Sequence, residues 1–143
     1  MDPRTDEPRI TVAGLVLRFA IVALTLATAY IHSTLGGLLF TLNATGYVVA
    51  AAAMVVPLGI AIRYRWFIRA GLIGYALTTI IGWAIQGPYY STAYLAKGIE
   101  AALILFVVVD FLRADGNPVT VVKRELAQIA AAVRSRRTGA EAA

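Results

Sequence analysis

The chain contains no cysteine. Disulfides, thiolate metal sites and cysteine nucleophiles are therefore excluded, and cysteine usage marks no redox compartment. Charge is sparse as well: 15% of the residues are Asp, Glu, Lys or Arg, against roughly 25% in a typical soluble domain. Histidine occurs once, so two histidines of one chain cannot share a metal or a haem iron. There is no HExxH, no paired-carboxylate helix motif and no CxxC, and a metal centre is not expected. No glycine-rich phosphate loop and no Ser–His–acid arrangement stands out, so no residue set argues for an enzyme.

What the chain has in quantity is apolar surface. Hydrophobic residues make up 59% of its 143 positions. That is a single-domain length, and an interior so small cannot hide so many apolar side chains from water. Four stretches carry them: 15–31, 38–62, 66–85 and 92–112. Each reaches or approaches the roughly 20 residues that a helix needs to cross a bilayer core of about 30 Å. The runs are continuously apolar, whereas strands of an outer-membrane barrel alternate in segments of about ten. Links at 32–37, 63–65 and 86–91 are short and force neighbours antiparallel. The expected fold is an all-α membrane protein, a four-helix up-down-up-down transmembrane bundle over 15–112 with a C-terminal amphipathic helix. Pro57 is expected to bend the second helix.

Every Lys and Arg except Lys97 falls on one side of such a bundle. Arg4, Arg9 and Arg18 lie at the start, Arg63, Arg65 and Arg69 around the middle turn, and the others from Arg113 onward. The two opposite loops carry no charge. The positive-inside rule then places both termini in the cytoplasm and the chain in the cytoplasmic (inner) membrane as a multi-pass protein. The basic pI of 9.9 is a product of topology, and nucleic acid is not expected as a partner. Residues 1–14 form a cytoplasmic N-terminal segment, disordered over Met1 to Pro8. Ala27-Thr28-Ala29 imitates a signal-peptidase site, but the leading segment is acidic as well as basic and Arg18 interrupts it.

After the last stretch, Asp115-Gly116 signals a turn, and Asn117-Pro118 suits an N-cap and first helical position. A helix over 117–137 follows, with a tail at 138–143. Val119, Val122, Leu126, Ile129 and Val133 recur at spacings of three and four, while Lys123, Arg124, Arg134, Arg136 and Arg137 take other faces. Such a helix suits anionic lipid headgroups at the bilayer surface. Packing against its own bundle or a sister chain is the alternative.

Within the bundle, Gly74, Thr78 and Gly82 repeat every four residues and predict a narrow groove for another helix, with Gly46 and Ala50 as partners. Trp66 and Trp83 mark the two interfaces of the third helix. Polar residues gather in the outer half. Lys97 and Glu100 stand three apart on one helix face, and Glu100 lies about 13 Å along the helix from Ser91, at 1.5 Å per residue. Ionisable groups at that depth cost roughly 2.5–3.5 kcal/mol each and face the protein interior. Tyr90 and Tyr94 continue the face. Two readings are open: a neutralised Lys–Glu pair holding the helices together, or a small outward-facing pocket lined by His32, Asn43, Gln86, Tyr90, Tyr94, Lys97 and Glu100. His32 is either a hydrogen-bonded boundary residue or an axial ligand for haem or a pigment. No other cofactor is expected. Asp110 is expected to pair with Arg113 or with an arginine of the middle turn.

Tyr30-Ile31-His32 followed by Gly36-Gly37, then Leu42-Asn43-Ala44 with Gly46-Tyr47, a basic turn at Arg63 to Arg69, and Lys97-Gly98-Ile99-Glu100 together resemble small prokaryotic four-span membrane proteins. The resemblance covers Tyr30 to Leu112. It implies topology and no chemistry, because that group has no established activity. The expected function is a non-enzymatic membrane component: a bundle that binds a small ligand or lipid, or an accessory subunit of a larger complex or homo-oligomer. A small transporter or channel using Lys97 and Glu100 is one alternative, and haem or pigment binding through His32 is another.

Overall fold

A computed structural model of the chain describes residues 11–57, 59 and 63–141. It is all-helical, with five helices and no strand among the described residues: α1 Val12–Thr34, α2 Leu38–Val55, α3 Arg65–Gln86, α4 Ser91–Ala114 and α5 Pro118–Glu141. The expected N-terminal disorder, Arg4 and Arg9 lie outside the described residues. The chain forms two compact units, Met1–Asp110 and Phe111–Ala143.

Three of the helices, α1, α2 and α3, are long and apolar enough to cross a membrane. The fourth, α4, has 24 residues and carries Lys97, Glu100, Asp110 and Arg113. α1 begins before the apolar run because Thr11 caps it, its hydroxyl accepting from the Gly14 amide at 3.2 Å; one orphan amide of the first turn is thereby satisfied. The link to α2 turns at Gly36 and Gly37, both at positive φ, where a side chain would clash with its own backbone.

The second apolar stretch departs from expectation. It is not a kinked helix over 38–62: α2 ends at Val55, and Val56 is extended with ψ 124°. The ring of Pro57 disfavours helical geometry in the residue before it. The proline therefore ends the helix instead of bending it.

Inside the first unit each helix turns one narrow face inward. Buried positions run Ile21, Thr25, Thr28, Ala29 and His32 on α1, Ala44, Tyr47, Ala51 and Met54 on α2, and Arg69, Leu72 and Ala76 on α3. On α4 they are Ala93, Ala96, Glu100, Leu103, Val107 and Asp110. Steps of three and four are the helical repeat of a single face. The polarity is inverted relative to a soluble protein. Glu100 has no exposure and Arg69 has 1%, while Phe19, Leu38 and Ile85 are each at least 75% exposed. In water, apolar burial is the main driving force, and this distribution would waste it.

Polar partners cross between the helices. Tyr75, midway along α3, donates to the Asn43 carbonyl in the first half of α2 at 3.1 Å and ties the two helices together. Asp110 near the end of α4 meets Arg69 near the start of α3, so those two are antiparallel. Gly46 allows the Tyr75 contact: a Cβ there would overlap the Tyr75 hydroxyl and lie 2.8 Å from its Cζ.

Gly46→Ala is therefore expected to destabilise the purified protein by about 1–3 kcal/mol, the usual cost of overpacking. Thermal unfolding in detergent reads this as a lowered midpoint. In a Tyr75→Ala background, where the obstructing ring is gone, the same Gly46→Ala change should lower the midpoint no further.

Candidate functional site

Two charged clusters occupy the interior, ten residues apart on α4 and hence about 15 Å along its axis. The first surrounds Glu100. Its Oε2 accepts from Lys97 Nζ and from Thr79 Oγ1, both at 2.7 Å. Its Oε1 accepts from Thr28 Oγ1 at 3.3 Å and faces His32 Nε2 at 3.6 Å. The carboxylate thus draws on α1, α3 and α4 at once. His32 Nδ1 lies 2.8 Å from the Thr28 carbonyl; a carbonyl only accepts, so Nδ1 carries the hydrogen and donates. That bond aims Nε2 at Glu100. Tyr47, wholly buried, is 3.3 Å from Thr79 Oγ1 and sits between the rings of His32 and Tyr75, at 5.8 and 4.8 Å between centroids.

The second cluster is Arg69 with Asp110, Nε to Oδ2 at 2.7 Å and almost no exposure on either side chain. Arg18, 42% exposed, approaches Oδ1 at 3.9 Å. Of the partners expected for Asp110, an arginine near the middle turn holds it. The layer between the clusters is mostly apolar: Ile21, Met54, Leu72, Leu103 and Val107 belong to one buried core, and the buried Thr25 hydroxyl donates to the Ile21 carbonyl at 2.7 Å.

Beside the first cluster lies a cavity of about 440 Å³ between the end of α1, the start of α2, the later half of α3 and the start of α4. Its wall is mostly apolar and aromatic, with Leu35, Leu39 and Phe40 facing Trp83, Ala93 and Ala96. This volume falls in the range of small-molecule sites, which run from about 300 to 1,000 Å³. Of the expected pocket residues, His32, Asn43, Gln86, Tyr90 and Lys97 line it. Glu100 stands behind the wall, holding Lys97 in place. Tyr94 is not part of the lining; it packs edge-on against Trp83, 5.0 Å between centroids.

The expected packing stripe has a different setting. Thr78 and Gly82 line the cavity, and a Cβ on Gly74 or Gly82 would meet nothing within 4 Å. No described helix of the chain fills that groove; the close approach is made at Gly46. On the separate C-terminal unit, Asn117 caps α5, its Oδ1 accepting from the Val119 amide at 2.9 Å. Lys123, Arg124 and Arg134 are exposed, as are Val119, Val122, Leu126, Ile129 and Val133. The side chains of Arg136 and Arg137 lie outside the described residues.

Thr28, Thr79 and Tyr47 do not stand out in the sequence. Thr25, Thr28 and His32 follow one another at helical spacing, so a polar face on α1 is the available signal. Thr79 is obscured by its neighbour Thr78, and a tyrosine in an apolar helix carries no mark of a buried partner. No protein-family model, curated protein or solved structure matches the chain.

Removing one member of the Lys97–Glu100 pair leaves the other charge buried, which costs about 3 kcal/mol in comparable pairs. Glu100→Gln and Lys97→Met should each lower the unfolding midpoint in detergent, and the double variant should recover most of the loss. Additive losses in the double variant would mean that the two groups are not coupled.

Proposed function

We propose that this chain is a four-span inner-membrane protein that binds a small amphipathic molecule in the cavity beside Glu100, without catalysing a reaction. α4 serves as the fourth span in this reading. Glu100 and Asp110 lie on its buried face and Lys97 against Glu100, while Arg113 is exposed only in its last turn, so the surface it offers to lipid before that turn carries no charge. In this reading both termini and α5 are on the cytoplasmic side, which the distribution of Lys and Arg supports.

The observation that carries the binding reading is the cavity itself: an apolar hollow with a few convergent polar groups, one of them an ammonium held by a fully buried carboxylate. Such a combination is the usual form of a small-molecule site. A conduit is less well supported. Ion or proton passage needs polar groups or water across the whole thickness, and here a mostly apolar layer, its Thr25 hydroxyl committed to the Ile21 carbonyl, lies between the Glu100 and Asp110 clusters. Haem or pigment ligation by His32 is disfavoured on geometry. Nδ1 is committed to the Thr28 carbonyl, and Nε2 faces Glu100 from a side chain only 3% exposed.

Two measurements test the proposal. Because the chain lacks cysteine, single cysteines report sidedness cleanly. Ser91→Cys should react with a membrane-impermeant maleimide on intact cells, and Ser135→Cys only after permeabilisation; the reverse pattern would overturn the topology. For binding, native mass spectrometry from mild detergent should show a small molecule on the wild-type chain that is missing from Ala96→Phe, where the ring fills the cavity. A wild-type mass equal to the bare chain under all mild conditions would count against a bound ligand.

A further inference from the structure

Resting on the proposed binding cavity, we infer that it loads sideways from the lipid phase, through the gap between α2 and α3, and that its ligand is a single-chain amphiphile with a neutral, hydrogen-bond-accepting head. The gap follows from which lining residues are also exposed. On α2 these are Leu39 and Leu42, 74% and 59% exposed. On α3 they are Thr78, Gly82 and, at its end, Gln86, followed by Pro88 and Tyr90 in the loop after it. Side chains that line a cavity and also face outward mark its mouth. Leu39, Leu42, Thr78 and Gly82 open it along the flank of two membrane-competent helices, and Gln86, Pro88 and Tyr90 open it at the end of α3; the flank is the apolar opening and the one an alkyl chain would take.

Gly82 is what keeps this mouth open. A Cβ built there has nothing within 4 Å, so no neighbouring side chain closes over it. Thr78, one turn earlier, is equally unobtrusive: its hydroxyl is turned back onto its own helix, donating to the Gly74 carbonyl at 2.8 Å. It presents a methyl group instead of a polar one. The flank opening, built from two leucines, a glycine and this threonine, offers little to hold water and nothing to repel an alkyl chain, in contrast to the Gln86 and Tyr90 end.

The head group follows from charge. Lys97 is the cation at the wall, and its charge is already matched by Glu100 at 2.7 Å. An anionic head would have to displace that carboxylate, which also accepts from Thr79 and Thr28. A cationic head would meet the ammonium directly. The ammonium has three N–H donors and gives one to Glu100, so an uncharged acceptor such as a hydroxyl or carbonyl oxygen fits. Size completes the description. At about 30 Å³ for each water-sized group, 440 Å³ holds roughly fifteen such groups, enough for one medium chain with its head and too few for a two-chain lipid.

The two tryptophans make this measurable. Trp83 lines the cavity, and Trp66→Phe leaves it as the sole fluorophore. In that background, reconstituted in phosphatidylcholine vesicles at pH 8, 12-bromododecan-1-ol should quench Trp83 saturably through contact with its bromine. Bromododecane, which lacks an acceptor, and 12-bromododecanoate, which is anionic, should each bind at least tenfold more weakly. Gly82→Leu should weaken quenching by the alcohol at least tenfold with the helical circular dichroism unchanged. Lys97→Met/Glu100→Gln, which keeps the wall uncharged, should abolish the preference for the alcohol.

The outcomes separate the two claims. If no probe quenches saturably, the binding cavity itself fails. If all three quench alike, or the carboxylate binds best, the cavity stands and the assigned head group falls. Unchanged quenching in Gly82→Leu overturns the lateral mouth, as would labelling of Gly82→Cys by a charged, water-borne methanethiosulfonate as fast as by pyrene maleimide.

Discussion

A carboxylate buried among helices has to be surrounded by donors, and in this protein that requirement organises the first compact unit. Glu100 is without exposure and takes contacts from Lys97 on its own helix, Thr79 on α3, and Thr28 and His32 on α1. Leaving any lone pair of a buried charge unmet costs more than an ordinary hydrogen bond is worth. Three helices are thereby held at one level and in one rotation. Tyr47 extends the network to α2 through Thr79, and the Gly46–Tyr75 contact follows from that placement. Arg69 and Asp110 repeat the device lower on α4 with a single strong pair. In a hydrocarbon medium, where apolar side chains gain nothing by meeting each other, such polar contacts and close packing are what remain to specify a structure.

The cavity is a by-product of the same arrangement. Lys97 lines the hollow with its ammonium held by Glu100 at 2.7 Å. Gly82 and Thr78 supply little bulk opposite it. Trp83, fixed by a hydrogen bond from its indole nitrogen to the Pro88 carbonyl at 2.8 Å and by edge contacts with Tyr89 and Tyr94, closes one side with a rigid plane. The cavity is thus built on helices and on a loop anchored to them.

The helices are legible in the sequence because their signals are long and physical. Uninterrupted apolar runs, the Asn117-Pro118 start and the uncharged loops need no tertiary information. The Lys97–Glu100 spacing exposes the pair for the same reason: two ionisable groups three apart inside an apolar helix have one natural explanation. What escapes are features decided between helices or by a single ring. The end of α2 at Val55 comes from the local restriction imposed by Pro57, which reads as a kink because the apolar run continues past it. Thr28 and Thr79 look like ordinary small polar residues until a carboxylate from 72 or 21 positions away is placed beside them. The glycine repeat on α3 announces closeness, yet the same small residues can equally leave space. Only the position of the neighbouring helices decides between the two.

The apolar layer of Ile21, Met54, Leu72, Leu103 and Val107 has an electrical consequence. Set across an energised membrane, it would be a dielectric with no charge among its described residues, and the Thr25 hydroxyl buried in it is turned back onto the Ile21 carbonyl at 2.7 Å. The charged pairs on either side of it are each close to neutral, so the field finds little to pull on when the potential changes. Such a layer would insulate rather than conduct, whatever the potential across it.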